Sequence, residues 1–313
     1  MAGQVYHLPD TLRNWPWKRI INKSSTRFLA KSSELAHCIG SSVNNFRSCH
    51  DLLQMFFILD DYTDTVDPTR IKAVCDATLD AAENPDKIRP EGEHIMGEIF
   101  RQFWERASVG VPKPCQEHFT RTWRAWLDSL VEQAECRSSS YICTIDKYLV
   151  ARQNNIGAFP VFTFVEIDLG LDLPHEVMEH PMITSLERDA GDMIILDNDM
   201  CSYKKEVLAN EATYNSVTVV MVNEHTDVSG GMRWISNYYD KLVERFLATR
   251  SNMLNKRGFP SWGKEIDEKI AIIHVYAGIA PWVRGNYEWN FGARRYFGNE
   301  GPEIQKTRTV VIE

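Results

Sequence analysis

The sequence predicts an all-α fold, and three observations carry that expectation. Apolar residues recur at helical spacing through most of the 313 residues, in segments separated by short breaks. Alternating strand patterns are nearly absent. Gly and Pro number 17 and 13, fewer than the roughly 12% of ordinary usage, which argues against a turn-rich all-β chain. A hydrophobic content of 43% suffices for a substantial core. At roughly 150 residues per domain the length suits one or two domains. No repeat, composition shift or low-complexity linker divides the chain, so residues 1–313 are expected to form a single helical domain.

After an irregular entry containing Pro9 and Pro16, helices are expected over Phe28–Asn45, His50–Tyr62, Thr69–Ala82, Gly92–Ala107, Cys115–Cys136 and Asp146–Ile167. They continue over Ile183–Leu208, Ser216–Glu224, Ser229–Leu254 and Gly263–Arg284, punctuated by Pro112, Pro114, Gly170, Pro174, Pro181, Gly230 and Pro260. The β-branched run Val217–Val222 is ambiguous. It is short enough for a strand, but helical neighbours favour a buried helix.

Charge narrows the function. A net charge of −8 and a pI near 5.7 disfavour nucleic-acid binding, which needs a basic stripe, and a polybasic membrane anchor. The longest charge-free stretch, Ile270–Val283, holds 14 residues and is broken by His274, Gly278 and Pro281. A bilayer span needs about 20 apolar residues, so no membrane insertion is expected. The opening MAGQVYHLPD has neither a basic nor an apolar signal region, and a cytoplasmic location is expected. Seven cysteines (Cys38, Cys49, Cys75, Cys115, Cys136, Cys143, Cys201) form no C-x-x-C pair and read as reduced core thiols.

Two motifs carry chemistry. The segment DLLQMFFILDDYTD is apolar from Leu52 to Leu59 apart from Gln54 and ends in Asp60, Asp61 and Asp64. On a helix, Asp60 and Asp64 lie one turn apart on one face, and Asp61 is three residues from Asp64. Their mutual repulsion, and their position at a helix C-terminus against the macrodipole, are unfavourable unless a cation neutralises them. Hard oxygen ligands without Cys or His suit Mg²⁺, commonly bound through one or two carboxylates plus a substrate phosphate. A solvated acidic helix end is the alternative.

The second motif is ILDNDMCSYKKE. Asn198, Ser202 and Glu206 fall at i, i+4 and i+8, lining up an amide oxygen, a hydroxyl and a carboxylate along one helix face. Lys205 returns to nearly the same face. Oxygens beside an ammonium make sense if a polyanion bridges metal and lysine; all four are also ordinary surface residue types. In RQNNIGAFPVF, Pro160 cannot donate to the Ile156 carbonyl and Gly157 lets the backbone deviate, so a helix kink is expected there with a freed carbonyl at Ile156. That dipole would serve a cavity or merely accommodate packing.

DDYTD and NDMCSYKKE resemble the aspartate-rich and NSE metal motifs of class I terpene synthases, particularly single-domain fungal (basidiomycete-type) sesquiterpene synthases. The opening LPDTLRNWPW (Leu8–Trp17) is similar to their N-terminal segment, and WNFGARRYFG (Trp289–Gly298) resembles their W-x5-RY element. Arg152, 46 residues before Asn198, stands where that family has a diphosphate-sensing arginine.

The resemblance implies an α-bundle surrounding a central active-site cavity, three Mg²⁺ ions with Mn²⁺ as a substitute, and an isoprenyl diphosphate substrate. The fifteen-carbon farnesyl diphosphate is favoured, its ionisation starting a cyclisation to a hydrocarbon or alcohol. It implies metal ligation by Asp60, with Asp64 as a second ligand and Asp61 receiving hydrogen bonds, and by Asn198, Ser202 and Glu206. Arg152, Lys205, Arg295 and Tyr296 would donate to the leaving group, arginine's fork matching phosphate and lysine acting as a point charge. The family's helix-break effector lies at Asn155–Gly157, making Ile156 and Gly157 the candidate backbone effectors. Aromatic faces attract carbocations by roughly 0.5–2 kcal/mol each; Phe56, Phe57 and Trp289 are the favoured wall, with Phe159 and Phe297 also beside motifs. Arg284 and Arg294 are read as structural.

A chain-elongating isoprenyl diphosphate synthase shares fold and substrate but normally carries two aspartate-rich motifs. A non-enzymatic helical interaction protein would leave two oxygen rows and their cationic partners without a role. A monomer or homodimer is expected.

Overall fold

The computed structural model describes residues 3–18, 43–63, 65–137, 142–272 and 278–312. A first strand, β1 (Gln4–His7), precedes α1 (Val43–Thr63), α2 (Pro68–Glu83), α3 (Ile95–Ala107), α4 (Lys113–Arg137), α5 (Ile145–Asn155) and α6 (Ala158–Asp168). There follow α7 (His175–Met178), α8 (Pro181–Ala209), a short 3₁₀ turn at Ala212–Tyr214, α9 (Ser216–Asn223) and α10 (Val228–Leu254). The chain closes with α11 (Lys264–Ile270), α12 (Ile279–Gly292), α13 (Arg294–Phe297), α14 (Gly301–Thr307) and β2 (Thr309–Ile312). The fold is all-α, as expected.

Helix starts follow from local chemistry. Asp67 caps α2, accepting from the Thr69 and Arg70 N–H groups at 3.0 and 3.2 Å, and Pro68 begins the helix where no N–H is needed. His180 and Pro181 open α8, and Asn210 ends it in the left-handed region at φ 61°. Asn215 caps α9, accepting from the Val217 N–H at 2.9 Å, so the β-branched run is helical as read.

α8 is the central helix, buried on several faces along Ile183–Tyr203 and packed against α5, α6, α9, α10 and α12. On one flank, α2 packs on α3 and α4 and α6 packs on α4, with α3 and α4 joined by an aromatic stack in which Phe100, Trp104, Phe119 and Trp123 are all buried. The N-terminal stretch is pinned behind α8. Thr11 Oγ1 donates to Asp197 at 2.7 Å, Trp15 Nε1 to the Ala280 carbonyl at 3.2 Å, and the Leu8 N–H to the Arg308 carbonyl at 2.7 Å. Burial raises the Asp197 carboxyl to about 7.

Several expected boundaries change. The Phe28–Asn45 helix lies largely outside the described residues, and from Val43 the chain runs without a break through His50, so the second expected helix begins earlier. The expected Asp146–Ile167 helix is two, parted at Ile156 and Gly157. The segment read as Gly263–Arg284 divides into α11 and α12, and α12 continues past Arg284 to Gly292. The terminal strands, missed in the sequence, pair antiparallel from Gln4↔Ile312 to His7↔Thr309. Cys75, Cys115 and Cys201 are free, buried thiols, Cys49 is buried and Cys143 half-buried; Cys38 lies outside the described residues. No helix among the described residues is long and apolar enough to cross a membrane.

Candidate active site

Four helices bring the two motifs to one cavity of about 350 Å³. α8 lines one wall with Asn198, Ser202, Lys205 and Glu206, and the end of α1 supplies Phe56, Phe57 and Asp60. Arg152, Asn155 and Ile156 enter from α5 and its end, and Arg295 and Tyr296 from α13. Phe56, Phe57, Ile156, Asn198 and Tyr296 also line a deeper chamber of about 90 Å³, whose other walls include Leu53, Gly157, Phe162, Trp282 and Trp289. A polar mouth thus leads to an apolar interior. A larger groove, about 730 Å³, runs beside α11 and holds none of the motif residues, so donor chemistry and not volume marks the site.

The cationic groups are already arranged. Arg295 Nη2 donates to Asp60 Oδ2 at 2.8 Å and to Asp61 Oδ1 at 3.1 Å, while its guanidinium lies over the Phe57 ring, 5.1 Å from the centroid. Arg152 Nη2 donates to Asn198 Oδ1 at 3.0 Å and to Asp199 Oδ1 at 3.2 Å, and its Nη1 to Asn155 Oδ1 at 2.7 Å. Asn198 Nδ2 in turn donates to the Tyr296 hydroxyl at 2.7 Å. Burial holds the Tyr296 hydroxyl well above the usual phenol range, so it remains protonated. Lys205 has no ion-pair partner among the described residues and faces the cavity.

Of the sequence-derived set, Asp60, Asn198, Ser202, Glu206, Arg152, Lys205, Arg295 and Tyr296 converge on this cavity. Asp61 is exposed and turned to Arg295, and Asp64 lies outside the described residues. Gly157 has φ 74°, which breaks the helix, and no hydrogen-bond donor reaches the Ile156 carbonyl among the described residues. Phe57 stacks on Trp289 at 5.2 Å with a 10° interplanar angle, and both line the inner chamber. Phe159 and Phe297 do not reach it: Phe159 packs beside Gly191 and Phe297 on Phe291. Arg284 is structural as read, its Nε donating to the Trp17 carbonyl at 3.0 Å.

Sequence reasoning missed the groups that hold these side chains in place. Asp199, 1% exposed, accepts from Tyr148, Arg152 and the Ser216 N–H and so anchors the arginine. Asn215 Nδ2 lies 2.8 Å from Glu206 Oε2, 3.4 Å from Ser202 Oγ and 2.8 Å from the Asp199 carbonyl, tying the α9 cap to the oxygen row. Asp199 sits inside the motif and could have been noticed there. Asn215 carried only a cap signal.

The chain matches the family described as "Terpene synthase family 2, C-terminal metal binding" over residues 51–245. It belongs to the terpene synthase family. It is 37% identical to a Δ(6)-protoilludene synthase of Stereum hirsutum, covering 98% of this chain and 87% of that one. It is 35% identical to a protein named sesquiterpene synthase 14 of Postia placenta, over 99% and 92% of the two chains. Among solved structures, linalool/nerolidol synthase from Streptomyces clavuligerus in complex with 2-fluorogeranyl diphosphate superposes with a TM-score of 0.75 at 18% identity, covering 90% and 99%. Germacradien-4-ol synthase from Streptomyces citricolor gives 0.74 at 17%, covering 88% and 98%. These two support the fold.

Terpene synthases act on isoprenyl diphosphates, and this family's C-terminal region binds metal. The donor set of this terpene synthase fits a hard divalent cation. Asn198, Ser202 and Glu206 bring an amide, a hydroxyl and a carboxylate oxygen to the cavity wall, with Asp60 also in its lining. Burial first, and then the nearby Asp199, push the Glu206 carboxyl up to about 7. A bound cation would relieve that penalty on its charged form.

Proposed function

We propose that this terpene synthase is a sesquiterpene cyclase built as a single domain. With Mg²⁺, or Mn²⁺ in its place, it ionises farnesyl diphosphate, releases diphosphate and closes the resulting carbocation into rings. The observation that carries this reading is the joining of two unlike chambers: oxygen ligands and three cationic side chains at the mouth, aromatic and aliphatic walls within. The names of the curated relatives agree with it.

When bound, the metal supplies Lewis-acid neutralisation of the negative charge that grows on the leaving diphosphate. Asp60, Asn198, Ser202 and Glu206 would hold it, with Asp64 as a further ligand and three ions as the full set. Arg152 and Arg295 bind phosphoryl oxygens through their planar forks, Lys205 adds a point charge, and Tyr296 donates its hydroxyl proton in a hydrogen bond. Asp199 and Asn215 orient these groups beforehand, so little reorganisation accompanies bond breaking. The inner aromatic walls exclude water and turn π faces to the cation. Ile156 offers a carbonyl at the helix break.

A chain-elongating synthase is not favoured, because the second motif here is an amide, a hydroxyl and one carboxylate in place of aspartates. The deciding experiment is incubation with farnesyl diphosphate and Mg²⁺, followed by gas chromatography–mass spectrometry. Cyclic sesquiterpenes are expected. The reading fails if no terpene forms, or if added isopentenyl diphosphate yields longer diphosphates instead.

A further inference from the structure

A pocket between α4, α5, α6 and α8 lies apart from the active site and shares no lining residue with either of its chambers. Its volume is about 260 Å³, and Arg121, Thr122, Gln153, Asn154 and Arg188 make up most of its wall. Pockets for drug-sized ligands run from roughly 300 to 1,000 Å³, so this one suits something smaller. Its apolar lining is Ala125 and Phe159, too little to shelter a hydrocarbon tail.

Both charged residues in the wall are arginines, and no carboxylate lines it. Arg188 is exposed and has neither an ion pair nor a hydrogen bond among the described residues. Arg121 is exposed as well, its Nη1 3.3 Å from His175 Nδ1 and 3.8 Å from Glu179 Oε1, a loose pairing that solvent screens. Nearby carboxyls cancel little of this charge. Glu187, close to both arginines, is buried; that burial, and then the neighbouring Glu166, raise its carboxyl to about 8, so it is mostly protonated at neutral pH. Asp192, near Arg188, is buried and accepts from Gln153 Nε2 at 2.7 Å, which fixes the Gln153 side chain in the wall. The Asn154 amide beside it makes no hydrogen bond among the described residues.

A guanidinium binds an oxyanion through paired N–H donors, and two such forks from different helices suit an anion with two charged centres. We propose that this pocket is a second anion site, taking free inorganic diphosphate, with Arg121 and Arg188 gripping its two phosphoryl groups and Asn154 adding an amide donor. The polar lining selects the free anion over the head of an isoprenyl diphosphate, whose tail would stay in water. The cyclase reaction proposed above releases this anion, but binding needs no turnover, so the two readings fail separately.

The test is isothermal titration calorimetry of the full chain with sodium diphosphate, in EDTA and at fixed ionic strength. Arg295→Gln serves as the background, because it weakens binding at the active-site mouth. Diphosphate is expected to bind this variant, and adding Arg188→Gln should raise Kd by about tenfold or more, the loss of one charge-assisted contact. Arg121→Gln should do the same, and it stands in for Arg188→Gln if circular dichroism shows that variant unfolded. Inorganic phosphate has one centre and should bind about tenfold more weakly than diphosphate. Diphosphate should also protect Arg121 and Arg188 from phenylglyoxal, as read by peptide mass spectrometry. The proposal is overturned if diphosphate does not bind the Arg295→Gln protein, or if Kd is unchanged when either pocket arginine is replaced. Phosphate binding as tightly as diphosphate, or arginines left unprotected, overturns it equally.

Discussion

Gly157→Ala isolates the helix break from the rest of the site. The residue stands at φ 74°, and an added Cβ would lie 3.2 and 3.3 Å from Cε1 and Cδ1 of Phe56. Left-handed backbone costs an L residue roughly 1–2 kcal/mol. The ring must also give way, since carbon atoms prefer about 3.5–4.0 Å. It is not free to do so: Phe56 packs edge-on against Trp126 with centroids 4.6 Å apart, and Trp126 Nε1 is fixed to the Asn155 carbonyl at 3.0 Å. An off-rotamer ring adds about 0.5–1.5 kcal/mol. The total, about 2–3 kcal/mol, lowers Tm by roughly 3–5 °C for two-state melting of a chain this long.

Gly110→Ala is the internal control. Gly110 also has positive φ, at 72°, but nothing lies within 4 Å of its added Cβ, so it reports backbone strain alone. The difference between the two melting temperatures then measures the Phe56 contact. Because Phe56 lines both chambers, Gly157→Ala should also change the ratio of major to minor products severalfold, as read by gas chromatography, while Gly110→Ala should not. If both variants melt alike and both keep the wild-type profile, the break does not position Phe56 and its place in the reasoning is lost.

Chelation by EDTA should abolish turnover and excess Mg²⁺ restore it; full turnover in chelator would remove the oxygen row from the mechanism. Arg295→Gln, which deletes the link to Asp60 and Asp61, should lower kcat by about 10²–10³ with helical content unchanged, and a wild-type kcat in steady-state assays would refute the assignment. Phe57→Leu and Trp289→Leu should alter product ratios more than rate, because both line the inner chamber and are proposed to face the cation after ionisation; unaltered ratios with reduced turnover would make them core residues only. Glu187, buried and then repelled by Glu166, has its carboxyl raised to about 8, so the folded state holds a proton that the unfolded chain releases near pH 4.5. Its contribution to stability therefore falls as pH rises from about 4.5 to 8. Glu187→Gln should flatten that part of a Tm-against-pH curve, and an unchanged slope would refute it.

Most of the long helices were legible because their apolar spacing survives in the sequence. α8 was found nearly end to end, and its motif geometry followed from helical pitch alone. The failures have physical causes. α7 and α13 are four residues each, too short for periodicity, and the two terminal strands pair residues about 300 positions apart, a contact with no local signature. The division at Ile156 and Gly157 was half-legible: Pro160 and Gly157 announced a disturbance, but a kink and a full break have the same sequence signals, and only packing against Phe56 distinguishes them.

The site divides along the same line. The groups proposed to meet substrate or metal were readable, because hard-oxygen side chains recur one turn apart on one strip of one helix. Groups that hold them were not, because holding is a relation between helices. Asp199 is useful only where Arg152, Tyr148 and the start of α9 come together around it, and Asn215 only where α9 caps beside Glu206. The inner chamber shows the same dependence. Asn286 is an ordinary amide in the sequence; only folding sets it in the wall of a chamber lined mainly by aliphatic and aromatic groups and buries its Nδ2 without a partner among the described residues.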